Sequence, residues 1–395
     1  MSWPVVKMSE IFDIARGGSP RPIDQFITDA PDGVNWIMIG DTKGDSKYID
    51  KTAKKIKPEG VKKSREVKKG DFLLTNSMSF GRPYILRTSG CIHDGWLVLS
   101  PKTDQIFTDY FYHYLGSTEV KNKLASKAAG AVVKNLNKDI VKDLEIPLPP
   151  LEEQKRIAAI LDKADSVRRK RQQAIDLADD FLRSVFLDMF GDPVLNPKGL
   201  PQVKLTELSD VISGYAFKSA EYIDDGEDSV RLCRGANTLT GYFDWKDTVY
   251  WNKEKLAGIQ NYKIKSGDVI LAMDRPWISS GLKVCVFPEN ERDTYLVQRV
   301  ARIRPKNPKY TDFLYASILS KAFEKHCCPT ETTVPHISPV ELKNFNVLVP
   351  DEKLVEKYHD AVVKVRKSKL AMQKSAVEAS NAFNSLSQKS FAGEL

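Results

Sequence analysis

Histidine and cysteine are scarce in this chain of 395 residues, which holds five of each. Five histidines give little material for acid–base chemistry or for a metal centre. The cysteines, at 91, 233, 285, 327 and 328, are odd in number and show no C-x-x-C spacing. Free thiols in a reducing cytosol are the expectation. No uncharged apolar run reaches the roughly 18 residues that a membrane-spanning helix needs. The segment Met1 to Glu10 has no basic stretch leading into an apolar core, so no signal peptide is expected. There is no G-x-x-x-x-G-K followed by Ser or Thr, no G-x-G-x-x-G, and no Asn- or Asp-Pro-Pro-aromatic tetrapeptide. These absences leave no P-loop and no dinucleotide or amino-methyltransferase fingerprint. What remains is a 42% hydrophobic chain with ordinary Gly and Pro usage, long enough for two cores.

Charge is uneven along that chain. The net charge is +8, from 60 basic against 52 acidic residues. Residues 1–150 carry 23 Lys/Arg against 18 Asp/Glu, while residues 203–350 are nearly balanced at 20 against 19. The excess concentrates in Lys43–Lys69, with eleven basic and four acidic residues. A stripe of this density suits a phosphate backbone, and also fits a solvated lysine-rich surface.

The chain repeats itself at an interval of about 200 residues. Val6-Lys7-Met8-Ser9-Glu10-Ile11 matches Val203-Lys204-Leu205-Thr206-Glu207-Leu208. Lys69-Gly70-Asp71-Phe72-Leu73-Leu74 matches Ser266-Gly267-Asp268-Val269-Ile270-Leu271, and Thr108-Asp109-Tyr110-Phe111 matches Thr311-Asp312-Phe313-Leu314. Ile146-Pro147-Leu148-Pro149 matches Val347-Leu348-Val349-Pro350 in the same order. Each Gly-Asp reads as a tight turn into a buried strand, and each Thr-Asp as a capped helix start. Between these pieces the copies diverge. The lysine-rich segment has as its counterpart one that holds Tyr242, Phe243, Trp245, Tyr250 and Trp251. A shared scaffold with unlike loops suits two modules with unlike targets.

Each copy runs into a helical segment. After Pro149-Pro150, apolar positions step by three and four through Ile157, Ile160, Ala164, Val167, Ala174, Ala178, Phe181 and Val185, interrupted by Arg171. Some 38 residues would give a rod of roughly 55 Å, ended by Gly191-Asp192-Pro193. The second stripe runs through Val355, Tyr358, Val362, Val365, Lys369, Met372, Ala376, Ala379, Phe383 and Leu386. The two are expected to pack on each other as an antiparallel coiled coil, against the alternative of separate docking on their own domains.

Two catalytic constellations can be drawn. Asp50, Glu66 and Lys68 have a nuclease-like spacing, and His326, Cys327, Cys328 and His336 could be drawn as a metal site. Neither has the geometry that such chemistry prefers: the first spacing arises by chance in lysine-rich sequence, and adjacent cysteines ligate zinc poorly. A self-sufficient nuclease and a protein-binding scaffold on the coiled coil stay as alternatives to a non-catalytic reader.

Ile146-Pro147-Leu148-Pro149-Pro150-Leu151-Glu152-Glu153-Gln154-Lys155-Arg156-Ile157-Ala158 resembles the central conserved region of the specificity subunits of type I restriction-modification systems. Gly267-Asp268-Val269-Ile270-Leu271-Ala272-Met273-Asp274-Arg275-Pro276 resembles part of their target-recognition domains, and the likeness spans the chain. Val349-Pro350-Asp351-Glu352-Lys353 departs from the central pattern. The resemblance implies an α+β fold: two duplicated α/β target-recognition domains (1–150 and 191–350) and two conserved helices (151–190 and 351–395). It implies a cytoplasmic, non-enzymatic subunit that reads a bipartite, gapped site on double-stranded DNA. Its partners would be two methyltransferase subunits and, through them, motor-endonuclease restriction subunits. No membrane partner, cofactor or metal is expected in this chain, S-adenosylmethionine being bound by the methyltransferase. Loop chemistry then selects candidate DNA contacts. In the first domain these are Arg16, Ser19, Arg21, Lys43, Ser77, Ser79, Arg82, Lys134, Asn135 and Asn137. In the second they are Tyr215, Lys218, Arg231, Arg234, Asn237, Arg275, Trp277, Thr332, Thr333 and His336.

Overall fold

The two Gly-Asp pairs fold identically. Gly70 takes φ +96° and Gly267 φ +82°, a region in which only glycine sits without strain. The carboxylate that follows closes each turn: Asp71 accepts from the Lys68 amide at 2.8 Å and Asp268 from the Lys265 amide at 2.7 Å. A fully buried strand comes next in both copies, Phe72–Thr75 and Val269–Ala272.

The computed structural model describes residues 3–42, 46–76, 81–128, 136–328 and 336–395. They form two compact units, Met1–Gln173 with Gln373–Leu395, and Ala174–Met372. Each long helix therefore contributes to both units, a division that differs from domain boundaries drawn at the prolines.

In the first unit, one five-stranded sheet has the order Phe12–Arg16, Trp96–Pro101, Phe72–Thr75, Pro83–Leu86, Tyr48–Ile49. A second has the order Ile27–Thr28, Lys54–Ile56, Val34–Ile37, Gly90–Ile92, Arg65–Val67. The second unit has a four-stranded sheet ordered Ser209–Ser213, Val300–Pro305, Val269–Ala272, Val284–Val286, and a three-stranded one. Both copies close on themselves by antiparallel pairing of their first and last strands, Val5–Lys7 with Glu145–Pro147 and Gln202–Lys204 with Asn346–Leu348. The equivalence reaches single backbone bonds. Met8 N–H donates to Leu144 at 2.9 Å, and Leu205 N–H donates to Phe345 at 2.8 Å.

The helices Thr108–Gly116 and Thr311–Ile318 start at the Thr-Asp pairs, but no side chain caps either of them. Asp109 and Asp312 instead bond elsewhere. Asp109 accepts from Lys47 Nζ at 2.5 Å, and Asp312 pairs with His359 at 2.7 Å and Arg366 at 2.6 Å.

The helices Leu151–Phe190 and Glu352–Ala392 pack together, antiparallel. In the first unit Arg156 donates to the Leu395 carbonyl at 2.9 Å, and Arg168 lies over the Phe383 ring at 5.6 Å. In the second Lys369 bonds Asp179 at 2.6 Å, and the Tyr358 ring stands 5.7 Å from Phe186 and 5.4 Å from Phe190. The partner number falls as the central-helix number rises in both.

The inward row of the central helix corrects the expected one. Ile157 is buried, but Val167 is 40% and Phe181 54% exposed. Ile160, Ala164, Ala174, Ala178 and Val185 are half-buried. Besides Gln154, Ile157 and Phe190 near its ends, the buried positions are Ala158, Leu161, Asp165, Ile175 and Phe186, each one residue C-terminal to the expected heptad row. Asp165 holds Arg168 and Arg169 at 2.7 and 3.0 Å. Because polar side chains fill inward positions as ion pairs, a count of apolar residues alone slides to the neighbouring row. On the C-terminal helix Tyr358 and Val362 are buried, and Val365, Met372, Ala379, Phe383 and Leu386 half-buried.

Candidate nucleic-acid interface

In the first unit the loop after strand Phe12–Arg16 lies against His93-Asp94-Gly95. A side chain at position 17 would put its Cβ 2.0 Å from the His93 carbonyl, so glycine alone fits; Gly214 meets Val297 in the same way at 2.2 Å. This close approach gathers polar groups around Asp94. Ser19 Oγ donates to its carboxylate at 2.9 Å, and Arg21 pairs with it at 3.5 Å. Arg16 Nε and Asn76 Nδ2 donate to its backbone carbonyl at 3.1 and 2.7 Å. The Ser19 hydrogen bond, helped by His93 and Arg21 and opposed by partial burial, holds the Asp94 carboxyl below its usual range. Arg16 and Arg21 remain exposed beside it. Arg82 sits 5.2 Å from the Tyr84 ring. Sequence reasoning missed Asp94 and Asn76, whose partners are distant in sequence.

The lysine-rich segment does two things. Lys47 is buried and bonds Asp109 and Asp162, Asp162 at 2.8 Å. Burial works against its charge, yet those carboxylates outweigh it and raise its pKa. Lys51, Lys54, Lys57, Lys62, Lys63, Arg65, Lys68 and Lys69 are exposed and leave that surface basic.

In the second unit polar groups gather around Asp274, in the loop after strand Val269–Ala272. Arg299 donates to its carboxylate at 2.7 Å, and His336 Nδ1 lies 3.1 Å from it. The Arg299 hydrogen bond, followed by His336, lowers the Asp274 pKa against slight burial. Arg275 is exposed, and Trp277 is half-buried in a short hairpin with Leu282. The backbone frame is that of the first unit: Asn76 N–H donates to Gly95 at 3.1 Å and Met273 N–H to Arg299 at 2.9 Å.

Several candidates have partners within the fold. Arg231 is 8% exposed, donates to Thr294 at 3.0 Å, pairs with Glu291 and stacks 3.6 Å over Trp245. Asn237, 1% exposed, staples its own loop through the Asp244 and Asp247 carbonyls at 3.0 and 3.1 Å. Arg234 pairs with Asp247 at 3.2 Å. Asn137 Oδ1 caps a helix, accepting from the Asp139 and Ile140 amides at 3.0 and 2.9 Å. Tyr215 packs 5.0 Å from Phe217 with 39% exposure, and Lys218 faces Glu221 at 3.9 Å. Lys43, Ser77, Ser79, Lys134, Asn135, Thr332 and Thr333 lie outside the described residues.

Neither catalytic constellation is assembled. Asp50 faces Arg87 at 3.8 Å, and among the described residues no three His, Cys, Asp or Glu side chains could hold a metal ion. All five cysteines are free thiols, four of them buried. Among the described residues no helix is long and apolar enough to cross a membrane.

Comparisons with known proteins agree with this architecture. Residues 1–177 match the family model of the type I restriction modification DNA specificity domain. The type I restriction enzyme MjaVIII specificity subunit of Methanocaldococcus jannaschii is 26% identical over 365 residues, covering 88% of this chain and 82% of that one. Two solved structures share the fold. One is the S subunit of a type I restriction-modification system from M. genitalium, with TM-score 0.52 and 16% identity over 99% of this chain and 96% of that one. The other is a chain from a study of complex assembly and conformational transition of the type I R-M system. It has TM-score 0.58 and 18% identity over 100% of this chain and 98% of that one.

Proposed function

Because the chain belongs to the family of type I restriction-modification specificity subunits, we propose that it reads double-stranded DNA in two unlike half-sites, one per unit. The observation that carries this reading is the duplicated frame with divergent loops. Around one shared backbone bond, Asn76 N–H to Gly95 and Met273 N–H to Arg299, the copies differ: Asp94, next to Gly95, holds Arg16, Ser19 and Arg21 in one unit, and Asp274, next to Met273, holds Arg299 and His336 in the other. Carboxylates accept from cytosine amino groups and guanidinium groups donate to guanine, so the two clusters can favour different sequences. The exposed basic face adds affinity that falls with salt.

In this reading the subunit is itself non-catalytic. Two methyltransferase subunits dock on it, bind S-adenosylmethionine and methylate the DNA, and motor-endonuclease subunits join through them. The complex works in the cytoplasm, where free thiols persist.

Modified-base sequencing of DNA from cells that co-express this chain and its methyltransferase subunit tests the proposal. A two-part methyladenine motif should appear only when both proteins are present. Absence of a new motif, with both proteins soluble and associated, would overturn it.

A further inference from the structure

Four described residues other than glycine have a positive φ: Asn196, Arg275, Asn290 and Arg299. Asparagine tolerates this region, whereas a long side chain is disfavoured there. Both arginines border the Asp274 carboxylate, Arg275 as its chain neighbour and Arg299 through the 2.7 Å bond. Arg275 at φ +44° is the more unusual, because the residue before a proline favours extended backbone and Pro276 follows.

The surroundings impose this conformation. Met273 N–H donates to Arg299 at 2.9 Å, and Met273 accepts from Ile337 at 2.9 Å. The Pro276 carbonyl accepts from Lys283 N–H at 2.7 Å, and Asp274 bridges to His336. Arg275 is thus clamped between two anchored backbone segments. Strain held in this way concentrates where a side chain must be aimed.

Among the described residues Arg275 is also the arginine of its domain with no internal hydrogen bond or ion pair. Of the seven arginines in residues 203–350, Arg231, Arg234, Arg292, Arg299, Arg302 and Arg304 all hydrogen-bond within the unit. Arg275 is exposed and has no hydrogen bond or ion pair with a described residue. Arg299, by contrast, is tied to the Asp274 carboxylate at 2.7 Å.

We propose that Arg275 is the specificity-determining residue of the second unit and reads a guanine of its half-site, donating to O6 and N7 in the major groove. Guanine is the base whose major-groove edge offers two acceptors that match a guanidinium fork. A phosphate contact tolerates a mobile arm and gains nothing from a strained, fixed stem. This assignment rests on the DNA-reading proposal above.

The test uses the complex of this chain with its methyltransferase and a panel of duplexes in which each pair of the methylated motif is replaced in turn. Arg275→Gly removes the fork and relieves the backbone, so the melting temperature should hold or rise. Discrimination should fall about 5- to 150-fold at one G·C pair of one half-site and stay intact elsewhere. Arg275→Gln, a second variant, should lose preference at the same pair. Unchanged discrimination at every pair would overturn the proposal. So would a uniform loss of affinity with the salt slope reduced by about one, the mark of a phosphate contact. A wild-type complex with no sequence preference at all would instead overturn the DNA-reading proposal beneath it, which tells the two failures apart.

Discussion

Asp109 and Asp312 stand at the same place in the two copies and hold different partners. Asp109 shares Lys47 with Asp162, which also accepts from His113 at 2.8 Å, whereas Asp312 takes His359 and Arg366. Burial would raise the Asp162 pKa, but the bonds from His113 and Lys47 outweigh it and bring the group down to about 2. A carboxyl whose folded pKa lies below its unfolded value stabilises fully above the unfolded value, near 4, and loses that contribution as pH falls toward 2. Asp162→Asn should therefore flatten the stability profile between pH 4 and pH 2. It should also cost about 2 kcal/mol at pH 7, because buried Lys47 keeps a single carboxylate. Urea unfolding across that pH range checks both effects, and a profile as steep as wild type would refute the assignment. The same scale explains why the DNA candidates were only partly legible. Arg231 and Arg275 look alike in sequence, each a cation in a polar neighbourhood. Glu291 and Thr294, some sixty residues away, bury the first. A left-handed backbone and a clamp from Ile337 and Lys283 project the second. The alternation of Val230, Arg231 and Leu232 would by itself turn Arg231 outward, yet every residue of that strand is buried in the fold.

At the scale of elements the sequence was more informative, since turn, strand and helix signals are local. The Gly-Asp turns, the strands after them and both long helices lie where their residues placed them. On the C-terminal helix the expected row holds at its start, where Tyr358 and Val362 are buried, while near its end Ser387, Ser390 and Phe391 take the buried positions. The central helix misled for a physical reason: Asp165, Arg168 and Asp179 occupy inward or partner-facing positions, while Val167, Leu177 and Phe181 lie outside. Burial thus ranks two phenylalanines five residues apart in opposite ways. Phe186, 4% exposed against Phe313 and Tyr358, should cost about 3 kcal/mol on truncation to Ala. Phe181→Ser should stay within about 0.5 kcal/mol. Urea denaturation of the two variants decides between the rows, and equal costs would restore the row expected from apolar spacing.

The duplication also governs the whole molecule, because each unit borrows the far end of a helix from the other half of the sequence. In the second unit Phe190 ends the central helix 4.9 Å from Phe313, on the helix that begins at Thr311. In the first unit Phe391 plays that part for Tyr110 and Tyr114, at 5.7 and 5.1 Å, although some 280 residues separate them. The first unit is therefore incomplete until the last residues of the chain are present, whereas the second is contained within Ala174–Met372. Removing Gln373–Leu395 should uncover Tyr110, Tyr114 and the Leu161 face, with the loss of Phe391 alone costing about 1.5–3 kcal/mol. Hydrogen exchange in Thr108–Gly116 should then accelerate at least about tenfold while Val269–Ala272 keeps its protection. Equal acceleration in both places would mean that the units unfold as one. No change in the first unit would mean that its core closes without the C-terminal helix, and the pairing of Phe391 with Tyr110 and Tyr114 would then add nothing to its stability.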